Sequence, residues 1–442
     1  MFQLDGDTVE EKPSLLFDRS DTSCIHSQQY HGLKTYGPYD KSVENIDVAI
    51  ITPEEKLSQV KNLVQDLKHG KSVFPGGMKK FFRTDLNLVN VVKIENNKLK
   101  EYEEGTKRFA KTTDISEVDV VIVRVPHTGR FLRRTPYYRC KAILTSHGFP
   151  SQMITEKTFE NLKWSYLNIA SAIFSKSGGI PWVLEKDLGD VDMILGMSRS
   201  NNISKYRRTG DMKKYVGFVN VFDRSGKWMF LEATSEPYKE NGDTSLERMI
   251  NSAVDKFKSE KMRTPKEIEI HYYKKWGKGE IERVNKILRN KIGSGTVNYI
   301  TVDDSHPFRV YDKTTNDGSF PRGYYANFKY DSILLSTTGE TEIAGRRMGT
   351  PKLLKIRAER YDIGGKIEKK DSTDEFFHEI AKRTLAMTRL NWSSSTPLER
   401  EPVTISFARR IAYLVGVLSE DEWKKINNAS INRALRKTPW FL

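Results

Sequence analysis

The stretch from 191 to 273 decides the fold: VDMILGM (191–197), KYVGFVNVF (214–222), KWMFLEA (227–233), a helical run at about Ser245–Lys258, and EIEIHYY (267–273). The first three segments are apolar runs of strand length with polar connections between them, which predicts a meander of three strands. The helix then carries the chain back to add another strand. A meander, a helix and a strand is the chain order of an RNase H-like core.

Upstream of Gly178-Gly179-Ile180-Pro181-Trp182 the order is different. IDVAIIT (46–52) predicts a strand, and Pro53-Glu54-Glu55 opens a helix with Leu57, Val60, Leu63 and Leu67 on one face. VDVVIVRV (118–125) is apolar through its middle, as expected of a strand buried on both sides. A helix at about Tyr137–Leu144, an extended stretch at Pro150–Ile154 and a long helix at about Glu156–Lys176 follow. The last ends in glycines and a proline, the usual stop order. Strands alternating with helices predict an α/β, Rossmann-like unit around a mostly parallel sheet. The expected organisation is an arm or accessory segment over 1–45, the Rossmann-like domain over 46–180 and the RNase H-like domain over 181–442. Further helices are expected near Asp374–Arg389 and Ile405–Leu418.

Lys and Arg number 73 against 58 Asp and Glu, a net charge of +15, which suits a polyanionic partner through counterion release. A lysine-rich surface would give the same sum. Cys24 and Cys140 are the only cysteines, too few for a disulfide framework or a CxxC metal pair. The opening MFQLDGDTVEEKPSLLF has acids where a secretion signal has bases, and runs such as Val120–Val123 and Ile411–Leu418 are far short of the roughly 18 residues that cross a bilayer. A soluble, cytoplasmic protein is expected.

Four polar residues gather around the predicted helices of the first unit. Tyr137 and Lys141 stand one turn apart, Gln152 follows a proline turn, and Lys176 ends the long helix. Asn168 and Ala172 precede Lys176 on the same helix. A terminal phosphate needs such donors: two ammonium groups for charge, an amide for direction and a phenol that also stacks on a base. Taken singly, each residue fits an ordinary role, a solvated face for the Tyr-Lys pair and the helix macrodipole for Lys176. Only the set points to a ligand.

TPYYRCK (135–141), FPSQ (149–152) and NIASAIFSKSGGIPW (168–182) resemble the MID domain of Argonaute proteins. GLKTYGPYD (32–40), DSHPFRVYD (304–312), Asn391-Trp392, PVTISFARRIAYLVG (402–416) and the ending Pro439-Trp440-Phe441-Leu442 are similar to segments of short archaeal Argonautes. The resemblance covers nearly the whole chain from about residue 30. It implies a Rossmann-like MID domain followed by a PIWI domain, with no region resembling a PAZ domain. It also implies that Tyr137, Lys141, Gln152 and Lys176 hold a guide 5′ phosphate and that Asn168 contacts the first guide nucleotides. In two-domain archaeal relatives the terminal carboxylate and a glutamine hold a divalent cation at that phosphate. The matching positions are Leu442 and Ala172, so Mg²⁺ there would rest on Leu442.

RNase H-type cleavage holds two metal ions between closely placed carboxylates. A cutting Argonaute has its first Asp shortly after a Gly at the end of the first PIWI strand; in ILGMSRS (194–200) that position is Ser198. The second falls on Lys274 or Lys275 and the last on Arg409. A hydroxyl and two cations cannot replace anionic ligands. Asp192, at the start of the first strand, reads as a surface carboxylate.

The expectation is a short Argonaute without catalysis, binding an RNA guide and a complementary DNA target and triggering an effector in defence against invading DNA. The resemblance implies a separately encoded partner with an APAZ-like region and a TIR, sirtuin-like, nuclease or membrane effector. The alternatives are an active metal-dependent guided nuclease and an unguided basic nucleic-acid-binding protein.

Overall fold

The computed structural model describes residues 4–9, 13–128, 135–201, 214–233, 245–316, 318, 321–329, 331–338, 351–395, 399–416, 418–426, 435 and 438–442. Two sheets organise it. The first is built from β1 (Asn45–Pro53), β2 (Asp85–Ile94), β3 (Val120–Val125) and β4 (Ser151–Thr155) in the order β2-β1-β3-β4, all parallel. All six residues of β3 are buried, because helices lie on both faces of a parallel sheet. These helices are α1 (Leu57–His69), α2 (Leu99–Thr112), α3 (Pro136–Ser146) and α4 (Leu162–Lys176). Ile46, Val48 and Ile50 of β1 share one core with Ile169, Ala170, Ile173 and Phe174 of α4. On the other face, Ala49, Ile51 and Val123 meet Phe109 of α2 and Cys140 and Ile143 of α3.

The long helix expected over Glu156–Lys176 is two. A short helix, Glu156–Glu160, is separated from α4 by Asn161 at φ −119° and ψ 32°. Asparagine competes for backbone hydrogen bonds and is a poor interior helix residue. The break lets α4 take its own direction, ending at Lys176 and then at Gly178, whose φ of +94° suits glycine.

The second sheet has ten strands. Its centre is β5 (Met193–Asn201), β6 (Lys214–Asp223) and β7 (Trp228–Ala233) in an antiparallel meander, then α5 (Ser245–Lys261) and β8 (Glu267–Tyr272), which returns parallel to β5. The expected meander, helix and strand are all there. Helix α6 (Lys278–Ile292) leads to β9 (Thr296–Asp303), again parallel. β10 (Tyr324–Lys329), β11 (Ser332–Leu335) and β12 (Leu354–Asp362) extend the sheet with antiparallel pairing. The first residues add an edge strand, Gly6–Thr8, beside β10. Leu15–Leu16 pairs with both Ile25–His26 and Val183–Leu184. The opening residues are therefore woven into the sheets, and the pairings of Gly6–Thr8 and of Leu15–Leu16 with Val183–Leu184 are too distant in sequence for local patterning to show.

Helices α7 (Asp374–Met387) and α8 (Val403–Val415) cover one face of this sheet. The seat of α8 is tight. A Cβ on Gly196 would lie 2.2 Å from the Thr404 carbonyl oxygen, so only glycine lets the helix approach β5. The fully buried His271 Nδ1 meets Thr404 Oγ1 at 2.8 Å, and its Nε2 meets Glu269 at 2.6 Å. Arg383 of α7 donates to the same Glu269 at 3.0 Å. Trp182 and Trp392 tie the segment after α4 to the segment after α7: Trp182 Nε1 donates to the Arg389 carbonyl and Trp392 Nε1 to the Trp182 carbonyl, each at 3.0 Å. Leaving either buried donor unmade costs about 1–3 kcal/mol.

Candidate nucleic-acid interface

Helix α3, strand β4 and the end of α4 come together, and α8 approaches them through Tyr413, whose ring centre lies 5.3 Å from that of Tyr138, and through Arg410. Lys141 is buried and its Nζ donates to a terminal oxygen of Leu442, the last residue, at 3.0 Å and to the Phe441 carbonyl oxygen at 3.3 Å. Lys176, also buried, donates to Oε1 of Gln152 at 2.6 Å. Tyr137 packs edge-on against Tyr138, their ring centres 4.9 Å apart. Burial raises the Tyr137 phenol, which lies within the field of Arg410. Asn168 accepts from the Ser395 backbone N–H at 2.7 Å, tying α4 to the loop after Trp392. Ala172 is buried. The structure thus brings the four expected residues into one neighbourhood, with Leu442 against Lys141 and Asn168 two turns away along α4.

Arg410 completes this group and was not singled out from the sequence. It lies on α8 and donates to Ser393 Oγ at 2.7 Å. Burial, then Arg410, brings the Lys141 ammonium down to about 7. Burial, then Lys141 and Arg410, holds Lys176 well below the ordinary lysine range. Three cations press on one another here, and Lys176 has a neutral amide for its partner. Such a cluster is costly in itself, and a dianion beside it would relieve that cost. The signal for Arg410 was the doubled arginine in SFARRIAYL, whose second member points about 100° away from the first.

Arg409, the first member, faces the other way. The expected second and third nuclease positions meet around one ring: Lys274 Nζ lies 5.4 Å and the Arg409 guanidinium 6.0 Å from the centre of Tyr273. Ser198 is buried on β5, following Met197, which pairs with Tyr272 of β8. The three positions therefore lie at the same end of the sheet. Arg409 donates to both oxygens of Asp304, at 3.0 and 2.9 Å, and to Glu401. These two carboxylates were also missed from the sequence. The Arg409 guanidinium holds the Asp304 carboxyl well below the usual range, whereas burial pushes Glu401 up to about 7. Among the described residues, no group of three or more His, Cys, Asp or Glu side chains could hold a metal ion. Asp192 corrects the surface reading: it is buried, accepting from the Lys266 backbone N–H at 2.7 Å and from Arg263. It ties the start of β8 to the start of β5, far from Ser198.

Residues 130–341 match the Piwi domain. The chain is 23% identical over 474 residues to an argonaute of Cereibacter sphaeroides, and 22% identical over 436 residues to a Piwi protein of Archaeoglobus fulgidus. The chain is similar to Argonaute and Piwi proteins. Its match to the Cereibacter argonaute covers 98% of this chain and 58% of that one; a match to an Aquifex aeolicus argonaute covers 74% and 44%. With the Archaeoglobus protein the match spans 93% of each. The fold is that of Argonautes: the Clostridium butyricum Argonaute bound to a guide DNA and a 19-mer target DNA superposes with a TM-score of 0.72 at 20% identity, over 94% of this chain and 53% of that one. Aquifex aeolicus Argonaute superposes with a TM-score of 0.62 at 20% identity, over 93% and 53%. The chain thus has an RNase H-like sheet, and among its described residues no helix is long and apolar enough to cross a membrane.

Proposed function

We propose that this chain captures the 5′ phosphate of a short guide strand and uses the guide to recognise a complementary strand, without cutting it. The observation that carries the reading is the cluster of Lys141, Lys176 and Arg410 beside Gln152 and Tyr137. Lys141, Lys176 and Arg410 supply charge, Gln152 supplies an amide N–H, and Tyr137 supplies a hydroxyl and a ring for the first base. Asn168 lies along the path of the next nucleotides. Residues 46–180 then serve as the guide-holding MID domain and 181–442 as the PIWI domain. Sequence choice comes from base pairing, the protein reading backbone and shape.

Loss of cleavage is supported by Ser198, Lys274 and Arg409 at the expected ligand positions, with Arg409 occupying Asp304 and Glu401. The Lys274 ammonium at that end of the sheet attracts a target phosphate and repels divalent cations, while Arg409 takes up the nearby carboxylates Asp304 and Glu401. Mg²⁺ at the guide phosphate would have to displace Lys141 from Leu442 in a setting of three cations, so no step is assigned to it. An RNA guide, a DNA target and a separate effector-bearing partner remain the proposed biological setting.

Nucleic acid extracted from the purified protein tests the class directly. Short 5′-phosphorylated strands of narrow length are expected; unphosphorylated fragments of every length would favour unguided binding. The same protein, given guide, target and Mn²⁺ or Mg²⁺, is expected to leave the target whole. Cleavage at one position would restore the nuclease reading.

A further inference from the structure

Six of the seven tryptophans, at 182, 228, 276, 392, 423 and 440, are at most 5% exposed; Trp164 is 71% exposed. A large indole left in water is unfavourable for folding, and nothing in the core uses it. It stands in the first turn of α4, one turn before Asn168 and three turns before Lys176. At 1.5 Å per residue, that is roughly 18 Å along the helix from the phosphate cluster. Lys163 Nζ lies over its ring, 5.2 Å from the centroid, so a cation accompanies one face of the indole. The nearby exposed charges are Lys157, Lys163 and Glu160, with cations in the majority.

We infer that Trp164, with Lys163, is a stacking platform for the strand whose 5′ end sits at Lys141 and Lys176. The inference rests on the phosphate-pocket reading and extends it to a second point of contact. The helix that ends in the pocket presents an aromatic ring and a cation along its exposed side, the combination that holds single strands without regard to sequence. At about 3.4 Å per stacked nucleotide, the platform lies about five nucleotides from the phosphate. A strand of two or three nucleotides fills the pocket without reaching it, whereas a longer one meets the indole.

The test compares a 5′-phosphorylated trinucleotide with a 5′-phosphorylated 12-mer on the full chain and on Trp164→Ala, with Trp164→Phe as the conservative variant. Because Trp164 is exposed, both variants are expected to fold. Trp164→Ala should bind the trinucleotide unchanged and the 12-mer about 5- to 150-fold more weakly, with Trp164→Phe recovering most of the loss. In the unaltered protein the 12-mer, and not the trinucleotide, should shield tryptophan fluorescence from acrylamide. Normal trinucleotide binding with an unweakened 12-mer overturns the platform alone. Equal binding of phosphorylated and unphosphorylated trinucleotides sinks the pocket reading, and the platform with it. Loss of a protein partner by Trp164→Ala, with strand binding untouched, would reassign the surface to protein docking.

Discussion

Arg409 and Arg410 are neighbours on α8, yet they serve opposite kinds of surroundings. Arg409 meets Asp304 and Glu401, two carboxylates that absorb its charge and leave a self-contained ionic tie. Arg410 meets a serine hydroxyl and the field of two lysines, with Lys176 bonded to a neutral amide. The same residue type, one position apart, thus makes a structural tie in one place and contributes to the proposed phosphate site in the other. What separates them is direct contact: Arg409 is bonded to two side-chain carboxylates, whereas Arg410 feels Glu399 and Glu401 only through their field. Net charge alone therefore says little about where on this chain an anion would be held.

The largest expected effect falls on the pocket. Lys141→Ala with Lys176→Ala removes two charge-assisted contacts, worth about 1.5–3 kcal/mol each, and should cut the preference for a 5′-phosphorylated over a 5′-hydroxyl strand by roughly 10²- to 10⁴-fold. Residual binding of both strands at low salt should survive, as fluorescence anisotropy can show. Next comes the seat of the helix that carries both arginines. Gly196→Ala drives a methyl into the Thr404 carbonyl, and should cost about 1–3 kcal/mol of stability in denaturant unfolding while weakening the phosphate preference through displaced Arg410.

The arginine pair itself gives a crossed comparison. Arg410→Ala should lower the phosphate preference about tenfold with little loss of stability. Arg409→Ala should leave the preference intact and cost about 1–2 kcal/mol, since it strands Asp304 and the largely buried Glu401 at a partly exposed site. Identical effects from the two variants would erase the distinction drawn here.

The smallest effect is on pH. Lys141 is brought down to about 7 in the free chain, and a bound phosphate raises it, so binding takes up a proton above pH 7. Affinity for the phosphorylated strand should fall several-fold per pH unit between about 7 and 9. A 5′-hydroxyl strand should show no such slope. Calorimetry in buffers of different ionisation enthalpy would count the proton.

Much of this was legible before the structure. The meander-helix-strand order and the burial of 120–125 follow from local periodicity, and the closeness of residues 137, 141, 152 and 176 from the resemblance of their segments together with which side chains suit a phosphate. The remainder lies in contacts between distant segments. Arg410 joins a pocket whose other members lie more than 200 residues earlier, and its direction depends on a rotation along α8 that spacing alone does not anchor. Asp304 and Glu401 become partners of Arg409 only once β9 and α8 end side by side. Asp192 reads as surface because its partners, Arg263 and the Lys266 backbone, arrive from a later strand. The pairing of Gly6–Thr8 with β10 spans over 300 residues and has no local trace.

One measurement reaches the central claim most directly: competition between two strands of identical sequence, one with a 5′ phosphate and one with a 5′ hydroxyl, for the unaltered chain. The cation cluster calls for the phosphorylated strand to win by at least about a hundredfold, consistent with two or more charge-assisted contacts. Equal occupancy by the two strands would contradict it.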